Sequence, residues 1–226
     1  MLKIALIALT ALPLFAGFFP STVNTSVASI SGKNITLSRS LPRNGMSGVV
    51  IHNYGSDLKA ITSRFVQTSN GHAILSESEV IDHDSLPTIN TAITRGDKVI
   101  GGYLYNNVLV LAPNANAYAK ATSSANKTWI HPDLYALYLS QEKEGAPTKE
   151  NLAEFAKKYQ VGLVYIVKKG SAVLLDPISG KIVGKKGVSG NPSKAQFPFF
   201  MRFDKIDSGW FSKSATGTYY NLMETL

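Results

Sequence analysis

Between residues 21 and 112 the chain breaks into short apolar runs separated by glycine- and asparagine-bearing corners, and no stretch there keeps a helical period. Strands this short cannot bury one face alone, so the pattern predicts a small barrel or a sandwich. Val27 to Ile30 lead through Ser31, Gly32, Lys33 and Asn34 into Ile35, Thr36 and Leu37. This reads as a hairpin whose Gly and Asn tolerate positive φ. Residues 42–45 form a second turn ahead of a strand at 47–51, and runs at 58–66 and 73–81 flank Ser69, Asn70 and Gly71. Gly96 introduces Val99 and Ile100, Gly101 and Gly102 allow a bend, and residues 103–105 and 108–111 are read as paired across Asn106 and Asn107.

Residues 113–128 are small and polar and are expected to be a linker or long loop. Helical spacing begins after them. Pro132 suits a first turn, and Leu134, Leu137 and Tyr138 then share one face. Thr148 is positioned to cap a second helix in which Leu152, Phe155, Ala156 and Tyr159 align. Glu154 and Lys158 stand at i, i+4, and Gly162 sits where a glycine commonly ends a helix. Runs at 163–167, 172–175 and 181–184, joined by turns at 168–171 and 176–180, predict an antiparallel meander. The expected fold class is α+β: a small β-barrel or sandwich over residues 17–112, then an α+β layer over 129–226 with two helices against an antiparallel sheet. The aromatic tail from Phe197 onward, with Trp210, Phe211, Tyr219 and Tyr220, is expected to pack on that layer.

Residues 1–16 read as a signal peptide. Lys3 precedes an apolar run from Ile4 to Phe15, and Ala16 offers a small residue for cleavage before Gly17. A standard spanning helix needs about 20 apolar residues, more than this run supplies. The expectation is an exported protein of the periplasm or outer-membrane surface. The net charge of +8 serves solubility or attraction to anionic surfaces. With no cysteine, thiol catalysis and thiolate metal sites are excluded.

No catalytic constellation is legible. Asp82, His83 and Asp84, and His131 with Asp133, lack the converging spacing of a metal centre and are assigned structural or surface roles. His52 and His72 lie by turns. The serines in 45–48 and 187–190 miss the nucleophile-elbow register, and residues 180–185 have neither the glycine spacing nor the following helix of a phosphate loop. The chain is therefore expected not to be an enzyme, to use no cofactor or metal, and to bind no nucleic acid.

Several segments carry a family resemblance: Phe18 to Ser21, Gly45 to Asn53, the run 96–116 around Gly101-Gly102-Tyr103-Leu104-Tyr105, Trp129 to Tyr135, Pro147 to Leu152, 161–167, 174–181, and Met201 to Asp204. Together they resemble the N-terminal domain of the plasminogen-binding surface proteins of epsilon-class proteobacteria such as Helicobacter. The resemblance implies a non-enzymatic cell-envelope protein with plasminogen as partner. Plasminogen's kringle modules take a lysine ammonium together with a carboxylate. The sequence ends in Glu224, Thr225 and Leu226, so internal lysines near acids are the expected contacts. Lys143, between Glu142 and Glu144, comes first, followed by Lys149 beside Glu150, and Lys157 and Lys158 near Glu154. The alternative is a periplasmic structural or assembly factor that binds another envelope protein.

Overall fold

A computed structural model describes residues 17–76, 91–189, 194–203, 206 and 217–226. The leader reading, Asp82-His83-Asp84, the end of the 73–81 run, Trp210 and Phe211 lie outside the described residues.

Six strands close the N-terminal barrel: β1 (Val23–Ser31), β2 (Asn34–Leu37), β3 (Ser47–Asn53), β4 (Lys59–Ser69), β5 (His72–Leu75) and β6 (Lys98–Gly101). Their order is β1-β2-β5-β4-β3-β6, and β6 pairs back onto β1 with Val23 opposite Gly101. All pairings are antiparallel, and closure leaves the barrel no free edge. Val27, Ile35, Leu37, Val50, Phe65, Ala73 and Val99 point inward and are buried. The barrel expected from the strand-and-corner pattern is present.

The second unit is a five-stranded sheet in the order β11-β10-β9-β7-β8, built from β7 (Asn107–Leu111), β8 (Thr128–Ile130), β9 (Leu163–Lys168), β10 (Ser171–Asp176) and β11 (Lys181–Gly187). Its helices are α1 (Ala115–Thr122), α2 (Pro132–Gln141), α3 (Lys149–Tyr159) and α4 (Tyr219–Thr225). The α+β class stands, with three corrections to its detail. Residues 107–111 do not hairpin back onto 103–105; they leave the barrel to become the sheet's β7. The sheet is mixed, because β7 runs parallel to both β8 and β9. The stretch read as a linker holds α1, capped by the Asn114 side chain, which accepts from the Ala117 N–H. One cause underlies all three. Parallel neighbours need crossover connections, so α1 joins β7 to β8, and α2 with α3 joins β8 to β9.

The sheet is buried on both faces. Val108, Val110, Leu163, Tyr165, Ala172 and Leu174 join the core shared with the barrel, while Leu109, Leu111, Val164, Ile166, Val173 and Leu175 pack under the helices. Barrel and sheet thus share one core. The tail packs as expected: Phe199, Tyr219 and Met223 are buried, and the Tyr219 hydroxyl donates to the carbonyls of Leu111 (2.9 Å) and Val167 (2.7 Å). At the other end, Phe18 and Phe19 lie edge-on to Tyr165 and Trp129, so residues just after the expected cleavage point cover part of the sheet.

Candidate binding surface

The candidate lysines occupy the α2–α3 connection and the exposed side of α3. That connection is held by Asn151, which is buried. Thr148 Oγ1 accepts from the Asn151 N–H (3.1 Å), Asn151 Oδ1 accepts from the Thr148 N–H (2.8 Å), and the Tyr135 hydroxyl donates to the same oxygen. Lys143 lies in the left-handed region at φ 59° and is exposed between exposed Glu142 and Glu144. Lys149 is exposed at the first turn of α3 beside exposed Glu150. Neither ammonium forms an ion pair with a described residue.

The other two lysines are engaged. Glu154 pairs with Lys157 at 2.8 Å and not, as the i, i+4 spacing suggested, with Lys158. Lys158 instead lies 5.7 Å above the Tyr138 ring and 5.9 Å from that of Tyr159. The two rings offer its ammonium a quadrupole that an exposed carboxylate does not outbid. The structure therefore sets Lys143 ahead of α3, Lys149 at its start and Lys157 and Lys158 at its end, and leaves only Lys143 and Lys149 unengaged among the described residues.

Two polar centres lie outside the lysine surface; sequence reasoning missed the first altogether and, at the second, the partner that joins it. Asp176 is fully buried at the barrel–sheet junction. Its Oδ2 accepts from the Ser47 N–H (2.8 Å), the Ser47 hydroxyl (2.6 Å) and the Tyr105 hydroxyl (2.5 Å), and its Oδ1 from the N–H groups of Ile178 and Ser179. Burial pushes this carboxyl up against the opposing pull of those donors, and burial beside it also pushes the Tyr105 phenol up. Only the turn signal of 176–180 pointed to this residue, and it gave no hint of Ser47 or Tyr105. These bonds all close within the protein.

The second centre is His131 with Asp133. His131 caps α2, its Nδ1 accepting from the Asp133 N–H at 3.2 Å. Arg202, from the tail, donates to Asp133 through its backbone N–H (2.9 Å) and its Nε (2.5 Å). Burial pushes the Asp133 carboxyl up, but the bonds from Arg202 and the His131 and Arg202 charges together hold it below the usual range. Burial lowers His131, a shift that Asp133 partly offsets. Both groups resist protonation when folded. Their contribution is complete above about pH 6.5 and is lost as pH falls through the His131 and then the Asp133 values. Asp133→Asn should therefore flatten the fall in melting temperature between about pH 5 and pH 3, by no more than about 1 kcal/mol because Arg202 is mostly exposed. Thermal melts across that range check it; an unchanged slope would remove Asp133 from the acid response.

His52 bonds Asp97 at 2.9 Å, and Asp97 also accepts from Thr94, which ties down a barrel corner. Among the described residues no three His, Asp or Glu side chains converge as a metal site, and no helix is long and apolar enough to cross a membrane.

Comparison with known proteins adds one consistent relationship. The family described as "Plasminogen-binding protein pgbA N-terminal" matches residues 22–226. A protein named plasminogen-binding protein PgbA from Helicobacter pylori strain J99 is 28% identical over 142 residues, 62% of this chain and 31% of that protein. Its counterpart from strain 26695 is 28% identical over 135 residues, 59% of this chain and 29% of that protein. The matched stretch thus spans less than a third of these relatives. No solved structure matches the chain significantly.

Proposed function

This chain belongs to the plasminogen-binding protein pgbA N-terminal family, and from that membership we propose that it is an exported, non-enzymatic binding protein of the cell envelope that takes plasminogen as its partner. The observation that carries the reading is the family match over residues 22–226. The lysine arrangement supports where contact would occur. A kringle pocket needs an ammonium free to enter it and a carboxylate nearby. Lys143 between Glu142 and Glu144, and Lys149 beside Glu150, present that pair on exposed backbone. Lys157 and Lys158 would first have to give up Glu154 and the tyrosine rings.

Surface plasmon resonance on the immobilised mature chain tests this. Plasminogen should bind, a saturating lysine analogue should abolish the signal, and Lys143→Ala with Lys149→Ala should weaken it by about tenfold or more, as for loss of interface anchors. Binding that survives both the analogue and the double substitution would overturn the kringle contact and favour an envelope-assembly role. Protease added to intact cells checks the location: a surface protein is removed, and a periplasmic one is protected until the outer membrane is opened.

A further inference from the structure

We propose that the outer edge of β11 binds an acidic, extended segment of another protein by strand addition. The barrel is closed, so the mixed sheet owns the free edges among the described residues, at β8 and β11. β8 has 3 residues, too few to template a partner, whereas β11 has 7, about 23 Å of backbone. In an antiparallel pair, alternate residues turn their N–H and C=O groups away from the neighbouring strand. β11 pairs with β10 on one side, and no described residue takes the backbone groups of 182–187 on the other.

The side chains select the partner's charge. Residues 163–188 carry Lys168, Lys169, Lys181, Lys185 and Lys186 against a single acid, Asp176, which is buried and saturated with donors; Lys168 pairs with Glu224 of α4 at 3.5 Å, and the other four remain to set the sign of the surface. Register sets Lys185 opposite Val173, towards the β9–β10 turn that carries Lys169, and Lys181 opposite Asp176 at the other end of the strand. Lys169, Lys181 and Lys185 are exposed, and Ile182 is 42% exposed, an apolar contact between lysines. Lys186 is engaged over the rings of Phe18 and Tyr165 and stays with the fold. A second copy is a poor occupant, because pairing β11 with β11 would set lysines against lysines. An extended partner alternating Glu or Asp with β-branched residues meets the charge, the free backbone groups and Ile182 together.

The test uses the intact mature protein and fluorescein-labelled eight-residue peptides read by anisotropy. One alternates Glu with Val and Thr, the second carries Pro at two central positions with the same charge, and the third replaces Glu by Lys. The Glu peptide should bind, the Pro and Lys versions about tenfold or more weaker, and Lys181→Glu with Lys185→Glu should cost a similar factor. Hydrogen exchange should slow at amides within 182–187 on binding, which reports the site even if the double variant folds poorly. Equal binding of the Pro peptide would reduce the edge to a nonspecific basic patch. No binding of any peptide, or a concentration-dependent dimer whose exchange protection falls on β11, would also overturn the proposal. Neither outcome bears on Lys143 and Lys149, so the plasminogen reading stands or falls separately.

Discussion

Replacing Asp176 with Ala should destabilise the protein by about 4 kcal/mol, while Ser47→Ala and Tyr105→Phe each cost only about 1–2 kcal/mol. The asymmetry follows from how the junction is wired. The carboxylate accepts from two hydroxyls and three backbone N–H groups, contributed by the barrel, the turn between β6 and β7 and the 176–180 turn. Removing one donor leaves the acceptor satisfied by the others. Removing the acceptor strands the buried Ser47 and Tyr105 donors, while water can reach the half-buried Ile178 and Ser179 N–H groups; an unsatisfied buried group costs about 1–3 kcal/mol. The charge itself is held at a cost, so the loss lies below the sum of its bonds. Burial raises the folded carboxyl above its unfolded value, so its linked contribution is greatest below about pH 3.9 and declines as pH rises through the folded value. That sign is opposite to that of Asp133, so Asp176→Ala should remove a decline that begins as pH rises above about 3.9 and leave the loss on acidification in place. Urea unfolding followed by circular dichroism at several pH values measures both. A loss of about 1 kcal/mol or less would mean that water replaces the carboxylate and that the junction is wetter than its geometry implies.

Legibility tracked the range of the forces involved. The barrel's hairpins are local, and turn residues such as Gly32 and Gly71, both at positive φ, marked them. α2 and α3 were legible because Pro132 and the Thr148 cap are local signals too; the reciprocal bond from Asn151 was not foreseen. The course of β7 was not. Val108 to Leu111 are apolar whether they hairpin onto residues 103–105 or run through the middle of a parallel set, and only pairing with distant β9 decides. α1 was hidden for another reason: four of its eight residues are Ala, good helix formers, but with Ala121 alone buried it carries no apolar stripe to read. Within the candidate surface, the lysines could be named from the sequence, but their availability could not. Spacing paired Glu154 with Lys158; the rings of Tyr138 and Tyr159, one from another helix, reassigned both. Asp176 was invisible as a junction because Ser47 stands 129 residues away.

Gly162→Ala should cost about 3 kcal/mol, well beyond the loss of a helix-stop glycine, and Gln160→Gly in the same chain should stabilise by about 0.5–1 kcal/mol. Sequence spacing assigned Gly162 to the end of α3, where replacing a left-handed glycine costs about 1 kcal/mol. The residue in the left-handed region is instead Gln160, at φ 56°, and its N–H closes the helix on the Ala156 carbonyl. Glycine at 160 relieves that strain, and the Gln160 carbonyl still accepts from Asn107 Nδ2. Gly162 is required for a different reason. A Cβ there would stand 2.1 Å from the Leu104 carbonyl oxygen and 2.7 Å from the Tyr105 nitrogen, both backbone atoms that no rotamer change can move. Residues 102–106 make the turn by which the chain crosses over from barrel to sheet, a crossover distinct from those of α1 and α2–α3, and the Gly162 N–H donates to the Asn107 carbonyl at its end (3.0 Å). A methyl group at 162 must therefore shift the crossover and, through Tyr105, the bonds gathered on Asp176. Chemical denaturation of the two single variants separates the explanations. If Gly162→Ala costs only about 1 kcal/mol, the crossover yields easily and the residue is no more than a helix stop. If it costs about three times as much while Gln160→Gly gains, the close approach to the crossover is what demands glycine.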